Sequence, residues 1–279
     1  IDAKGLMVAP GFIDVHTHIE GEEKRTPTAE NFIYDGVTTV VTGNCGSSQV
    51  DMKTYFSFID SLKTSINIAA LIGHNSVRRT AMGTARRDPS ETEMQQMILL
   101  VEEAMKNGAV GFSTGLIYIP GTYSKTEEVL RLAKVAANYN GVYASHMRDE
   151  GDSVVAAIQE ALYIGKAAKM PVQISHFKLS GQHNWGRSKQ TVPMIEAAVT
   201  EATALTGMPP TLVCHSMGGL AARAWLQCAG FRDTGFHGRG CGCGGQGFAR
   251  PHDRIARRFA MPPVSGHRTG CRRNDRGTE

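Results

Sequence analysis

Two imidazoles one residue apart, His16 and His18, close the stretch Pro10-Gly11-Phe12-Ile13-Asp14-Val15-His16-Thr17-His18. Phe12 to Val15 reads as a short buried strand entered from a Pro-Gly turn. Side chains two apart on a strand share a face, so Asp14, His16 and His18 point the same way. Two nitrogen donors at the C-terminal end of a strand make a ready pair of ligands for zinc or a similar divalent cation. An isolated His-x-His is equally compatible with satisfied core histidines, so the other donors decide. Cys45 follows the β-branched run Val37-Thr38-Thr39-Val40-Val41-Thr42, His146 ends Val142-Tyr143-Ala144-Ser145-His146, and His176 ends Pro171-Val172-Gln173-Ile174-Ser175-His176. Donors at the ends of four separate strands point to one shared cation.

The elements that must position these donors alternate. From residue 1 to about 205 the pattern is strand, loop, helix, repeated. Ile66–Ile72 reads as a third strand closing in Gly73-His74-Asn75. A helix starts at Ser90, where Glu93 completes a capping box; its apolar stripe is Met94, Met97, Ile98, Val101 and Met105, and Asn107-Gly108 stops it. Ala109–Ser113 is a fourth strand leading into the loop Gly115–Gly121, which carries Tyr118. Ser124 and Glu127 spell a second capping box, opening a helix with Val129, Leu132, Ala133 and Ala136 inward. A helix over 151–168 buries Val154, Val155, Ile158 and Leu162, and one over 192–204 follows the sixth strand. Such alternation gives parallel βαβ units, as an open doubly wound sheet or a (β/α)8 barrel. No Gly-x-Gly-x-x-Gly follows the first strand, which counts against a dinucleotide fold. In a barrel the C-terminal strand ends converge on one mouth, and that is where the donors fall. The expected class is therefore α/β, an incomplete TIM-type (β/α)8 barrel with an irregular C-terminal tail.

The totals bound the partners. The 279 residues, 41% hydrophobic, suffice for one large core or two modest ones. A net charge of +4 implies neither nucleic acid nor membrane as partner. No apolar run is long enough to span a bilayer and no signal peptide opens the chain, so a cytoplasmic protein is expected, and the Ile1 start suggests a fragment. Of the six cysteines, five (Cys214, Cys228, Cys241, Cys243 and Cys271) lie after position 210, leaving Cys45 alone in the long first part. This is not the layout of a secreted disulfide scaffold. No lysine follows Lys189, and residues 230–279 are crowded with arginine and glycine, a composition expected to be largely disordered. An arginine tail for nucleic acid is less well supported, because aromatic residues are sparse and no Arg-Gly repeat is sustained.

With these stretches in order, the sequence resembles the amidohydrolase superfamily, and within it the N-acyl-D-amino-acid deacylases. The matching segments are Pro10–Glu20, Gly43-Asn44-Cys45-Gly46, Gly111–Gly121, Ser145-His146-Met147-Arg148-Asp149-Glu150 and Ile174-Ser175-His176-Phe177-Lys178, together covering about residues 1–203. Most relatives bridge two metals with a carboxylated lysine on the fourth strand. That strand has no lysine here, and the deacylase branch uses a cysteine after the second strand instead. The resemblance implies that Cys45, His146 and His176 hold a tight zinc, with His16 and His18 in a second, weaker site sharing Cys45. It implies hydrolysis of the amide bond of a small N-acyl-D-amino acid. Tyr118 matches the family's substrate-contacting tyrosine. Lys178, two residues beyond His176, shares that ligand's face and is placed to pair with the substrate's α-carboxylate. Arg148 and Asp149 are read as the start of the next helix.

The pattern then breaks. The family's seventh and eighth strands, the eighth with an aspartate that serves as general base, are not found. Instead Thr211-Leu212-Val213-Cys214-His215-Ser216-Met217-Gly218-Gly219 resembles an α/β-hydrolase nucleophile elbow, with Ser216 as nucleophile and His237, His252 and His267 as the histidines available to a triad. The sequence thus divides into residues 1–10 (a remnant of a β-sandwich edge), 11–205 (partial barrel), 206–229 (elbow) and 230–279 (tail). The alternatives to a deacylase of reduced activity are a serine esterase or lipase, or an inactive chimeric product. Six strands of eight leave two sheet edges unpaired, which Thr211–Cys214 could only partly cover.

Overall fold

A computed structural model of the chain describes residues 2–6 and 8–206. It contains six parallel strands in the order in which they occur: β1 (Phe12–Asp14), β2 (Val37–Thr42), β3 (Asn67–Gly73), β4 (Gly111–Gly115), β5 (Val142–His146) and β6 (Val172–Ile174). Each strand pairs only with its sequence neighbours; β2 and β3 run in plain register from Thr39 opposite Asn67, whereas β1 slips against β2 between Phe12 and Ile13. This order separates the two architectures left open by alternation alone. A doubly wound sheet reverses its strand order at a switch point, whereas a monotonic order with right-handed crossovers keeps every helix on one face and curls the sheet. The result is a curled half-barrel, an incomplete TIM barrel.

The helices are α1 (Glu30–Tyr34), α2 (Met52–Leu62), α3 (His74–Met82), α4 (Glu91–Lys106), α5 (Thr126–Ala137), α6 (Val154–Ala168) and α7 (Ser188–Thr206). The main core lies between strands and helices: Ala70, Ile72, Phe112 and Tyr143 pack with Met52 and Ile59 of α2, Met97 and Val101 of α4, and Leu132 and Ala136 of α5. Ala70 and Ile72 alternate along β3, so one strand face meets the helices and the other is left to the barrel interior. Tyr143 and His146 are three apart on β5 and therefore fall on opposite faces, which sends His146 inward.

Local rules explain most boundaries. The Ser90 hydroxyl accepts from Glu93 N at 3.2 Å while Glu93 accepts from Ser90 N at 2.7 Å, the reciprocal box expected at the start of α4. The second expected box does not form. Ser124 donates its hydroxyl to Gly121 O at 2.7 Å across a preceding 3-10 turn, and Lys125 stands at the N-cap without a side-chain cap. The sixth strand is also shorter than the expected Pro171–His176. Residues 2–6 and 8–10 contain no strand, and no helix among the described residues is long and apolar enough to cross a membrane.

One buried charge cluster ties this architecture together. Glu128 of α5 accepts from His74 Nε2 at 2.8 Å and from Arg78 Nη1 at 2.5 Å, and Arg78 also donates to Arg87 O at 2.7 Å. All three side chains are buried. Burial pushes the Glu128 carboxyl up, but the bonds from His74 and Arg78 outweigh it and hold the group below its usual range. The cluster clamps α3 to α5 directly behind the loops that carry the site.

Candidate metal centre

The donors sit where parallel strands end. His16 lies two residues past β1, Cys45 three past β2, His146 closes β5 and His176 lies two past β6. Cys45 Sγ is 3.6 Å from His16 Nε2 and 3.7 Å from His176 Nε2, so residues 131 apart in the chain meet. The His146 and His176 rings stand edge to face with centroids 4.2 Å apart. Two groups are thus close enough to share a cation: His16 with Cys45 and His176, and His146 with Glu150 and His176. His18 is exposed, its ring 5.2 Å from that of His16 and outside both groups.

The backbone is bent to achieve this. Cys45 (φ 53°) and His176 (φ 36°) both occupy the left-handed region that a side chain with a Cβ enters only at a cost of about 1–3 kcal/mol, a strain that concentrates at functional sites. Gly43 and Gly46, each at φ 77°, flank Cys45. A Cβ on Gly46 would fall 2.3 Å from Asn75 Oδ1, so only glycine lets the β2 loop approach α3 this closely. Asn75 in turn donates to Gly115 O at 3.0 Å and accepts from Gly115 N at 3.3 Å, fastening the loop that presents Tyr118. Tyr118 stands edge-on to His146, ring centroids 4.7 Å apart, and is half exposed in a cleft of about 320 Å³ that it lines with His18, Cys45, Asn75 and Arg79.

The electrostatics prepare the donors without a cation. Burial, helped by the Glu150 charge, pushes the Cys45 thiol up to about 12, and a cation must therefore displace its proton. Burial and the neighbouring His176 bring His146 down to about 4, keeping the imidazole neutral. Both ring nitrogens of His146 are buried without a hydrogen-bond partner. Buried polar atoms left in this state are costly, and a bound cation would satisfy one of them. A thiolate with neutral imidazoles suits zinc or copper better than magnesium or calcium. The residues fit the group.

Sequence reasoning missed Glu150. Burial pushes its carboxyl up, but bonds from His176 and Lys178 bring it down to about 2, so it is an anion at the heart of the site. Its Oε1 is 3.0 Å from His176 Nδ1, 2.6 Å from Lys178 Nζ and 3.6 Å from His146 Nε2. The available signal was its position four residues after His146. Lys178 therefore already has an internal partner. Arg148 bonds Glu160 of α6 in a two-pronged pair at 2.8 and 2.9 Å, and Asp149 accepts from Gly151 N and Ser153 N, so both shape the entry to α6. Ser216, with His237, His252 and His267, lies outside the described residues, as does the arginine-rich tail.

Known proteins share this arrangement of strands. The chain is 39% identical over 222 residues to a D-aminoacylase of Alcaligenes xylosoxydans xylosoxydans, an alignment that covers 71% of this chain and 46% of that protein. The crystal structure of an N-acyl-D-glutamate deacylase from Bordetella bronchiseptica, complexed with zinc and a phosphonate mimic of the tetrahedral intermediate, superposes with a TM-score of 0.65 at 37% identity, covering 69% of this chain and 45% of that one. A D-aminoacylase solved to define the role of its binuclear metal centre superposes with a TM-score of 0.61 at 36% identity, covering 68% and 45%. The chain thus spans just under half the length of these relatives. The amidohydrolase family model matches residues 1–225, through the stretch that includes Ser216, and by that match together with the parallel half-barrel and its donor-bearing strand ends this chain belongs to the amidohydrolase family.

Proposed function

We propose that this chain carries the metal-binding strands of a zinc-dependent hydrolase that cleaves the amide bond of N-acyl-D-amino acids, giving a carboxylate and a D-amino acid. One observation carries the reading: a lone thiol, Cys45, meets imidazoles from two other strand ends at 3.6 and 3.7 Å. The relatives' names supply the substrate class. The family resemblance, rather than these distances, assigns Cys45, His146 and His176 to the tighter zinc and His16 and His18 to a weaker second one sharing Cys45; the geometry groups Cys45 with His16 and His176. Residues 11–205 are the working unit in this reading, and a reducing cytoplasm keeps its thiol free.

When bound, zinc supplies Lewis acidity, polarising a carbonyl and bringing the pKa of water towards neutral. The chain's own groups do the rest. Tyr118, at the cleft edge beside His146, donates its hydroxyl to the substrate. Lys178 is half exposed, and the donors that Glu150 does not occupy meet the α-carboxylate. A cleft of about 320 Å³ suits an acylated amino acid rather than a polymer.

The family's base aspartate belongs to an eighth strand, and the described residues provide six. Turnover of N-acetyl-D-amino acids by this chain is therefore expected at ~10²–10⁴-fold below that of an enzyme with the base in place. The residual activity should favour the D over the L enantiomer, vanish with a chelator and return with zinc. Chelator-insensitive or L-selective hydrolysis would contradict the reading.

The pH dependence of zinc uptake follows from Cys45. In the cation-free protein the thiol keeps its proton up to about pH 12, so binding releases one proton throughout the neutral range. Affinity should thus rise about tenfold per pH unit for that proton and fall as pH drops, more steeply once His146 protonates near pH 4. Zinc titrations at pH 6, 7 and 8 in weakly coordinating buffers read the slope; a flat profile would remove Cys45 from the ligand set.

A further inference from the structure

We infer that Arg79 selects ligands carrying a second carboxylate, so that the cleft takes dianionic N-acyl-D-amino acids in preference to monoanionic ones. Arg79 stands in the last turn of α3 and lines the cleft beside Cys45 and Tyr118. It is the one lysine or arginine in that lining, and no aspartate or glutamate among the described residues lines it. Arg25, Arg78, Arg87, Arg131 and Arg148 each pair with a glutamate. Arg79 is exposed and pairs with no carboxylate among the described residues; its guanidinium makes one hydrogen bond there, from Nη2 to Ile119 O at 3.3 Å. Most of its five N–H donors are therefore left to a ligand, in the planar fork that a carboxylate accepts two at a time. Ser47, Asn75 and Ser76 add neutral polar groups to the same wall, so an anion placed there meets no like charge from it. Lys178, which the proposed function gives to the α-carboxylate, lies past β6, whereas α3 follows β3. The two cations thus stand at different strand ends and serve two different carboxylates. That the ligand is a substrate rests on the function proposed above; the charge preference of the cleft does not.

Binding and turnover measured separately on the full chain with zinc present test this. Two ligand pairs differ by one charge at nearly constant shape: N-acetyl-D-glutamate against N-acetyl-D-glutamine, for a carboxylate on the side chain, and N-succinyl-D-alanine against N-butanoyl-D-alanine, for one on the acyl group. In at least one pair the wild type is expected to bind the dianion about tenfold more tightly at low salt, and less selectively as salt is added. Arg79→Gln should bring that ratio close to one, and Arg79→Glu should invert it. The pair that shows the effect identifies which carboxylate Arg79 meets. A ratio near one in both pairs, binding of none of the four, or a preference that survives in Arg79→Gln overturns the inference. An equal fall for both members of a pair in Arg79→Gln would make Arg79 a prop of the Tyr118 loop and overturn it as well. An Arg79-dependent preference in a chain that hydrolyses none of the four would support the inference while defeating the hydrolase reading.

Discussion

Cys45→Ala is expected to strip the chain of its zinc while leaving it folded. Cys45 is the one sulfur donor among the described groups, and as a thiolate it is the softest partner there for zinc. The loss of affinity should exceed the ~10–100-fold that outer-shell partners cost, since the bond removed is to the metal itself. Cys45 is only half-buried and its neighbours are held by their own bonds, so the fold should survive. Asn44 donates to Val41 O at 3.0 Å and Gly46 N donates to Ser113 Oγ at 3.1 Å with or without the thiol. Zinc at a thousandfold excess over its dissociation constant stabilises a protein by about 4 kcal/mol, so it should raise the melting temperature of the wild type and not that of the variant. Metal analysis of the two purified chains with paired thermal melts checks both halves. Stoichiometric zinc in Cys45→Ala would refute the ligand set.

The largest expected effect on stability lies behind the site. Glu128→Ala leaves Arg78 buried without its carboxylate and removes the partner of His74. Breaking one side of a buried pair costs about 3–5 kcal/mol, because the stranded charge can reach neither water nor a counter-ion. For a domain of ordinary marginal stability, ~5–15 kcal/mol, that is a large share. The loosened element would be α3, and with it Asn75 and the Tyr118 loop. Urea denaturation of Glu128→Ala and Glu128→Gln reads the loss, which should be smaller for the neutral isostere. A change under about 1 kcal/mol in the alanine variant would mean that water reaches the cluster.

The donors were legible because each follows a strand that is itself legible. The β-branched run before Cys45 and the apolar runs before His146 and His176 fix the strand ends, and parallel pairing then fixes the mouth. The Ser90 capping box was equally plain, since both partners are local. What failed to show depends on distant partners or on backbone shape. Helix α3 begins at His74 directly after β3 with no capping side chain, and its buried Arg78 finds Glu128 fifty residues away. Ser124 carried the right spacing for a cap, but the 3-10 turn before it captured its hydroxyl. The positive φ of Cys45 and His176 leaves no trace in residue type, because neither is a glycine. Glu150 was in view and unassigned, since only the folded loop brings His176 and Lys178 to its carboxylate.

X-ray absorption at the zinc edge of the purified wild-type chain tests the central claim most directly. A first shell with one sulfur at about 2.3 Å and nitrogens at about 2.0–2.1 Å is the predicted result. A shell of nitrogen and oxygen alone, or no zinc at all, would contradict it.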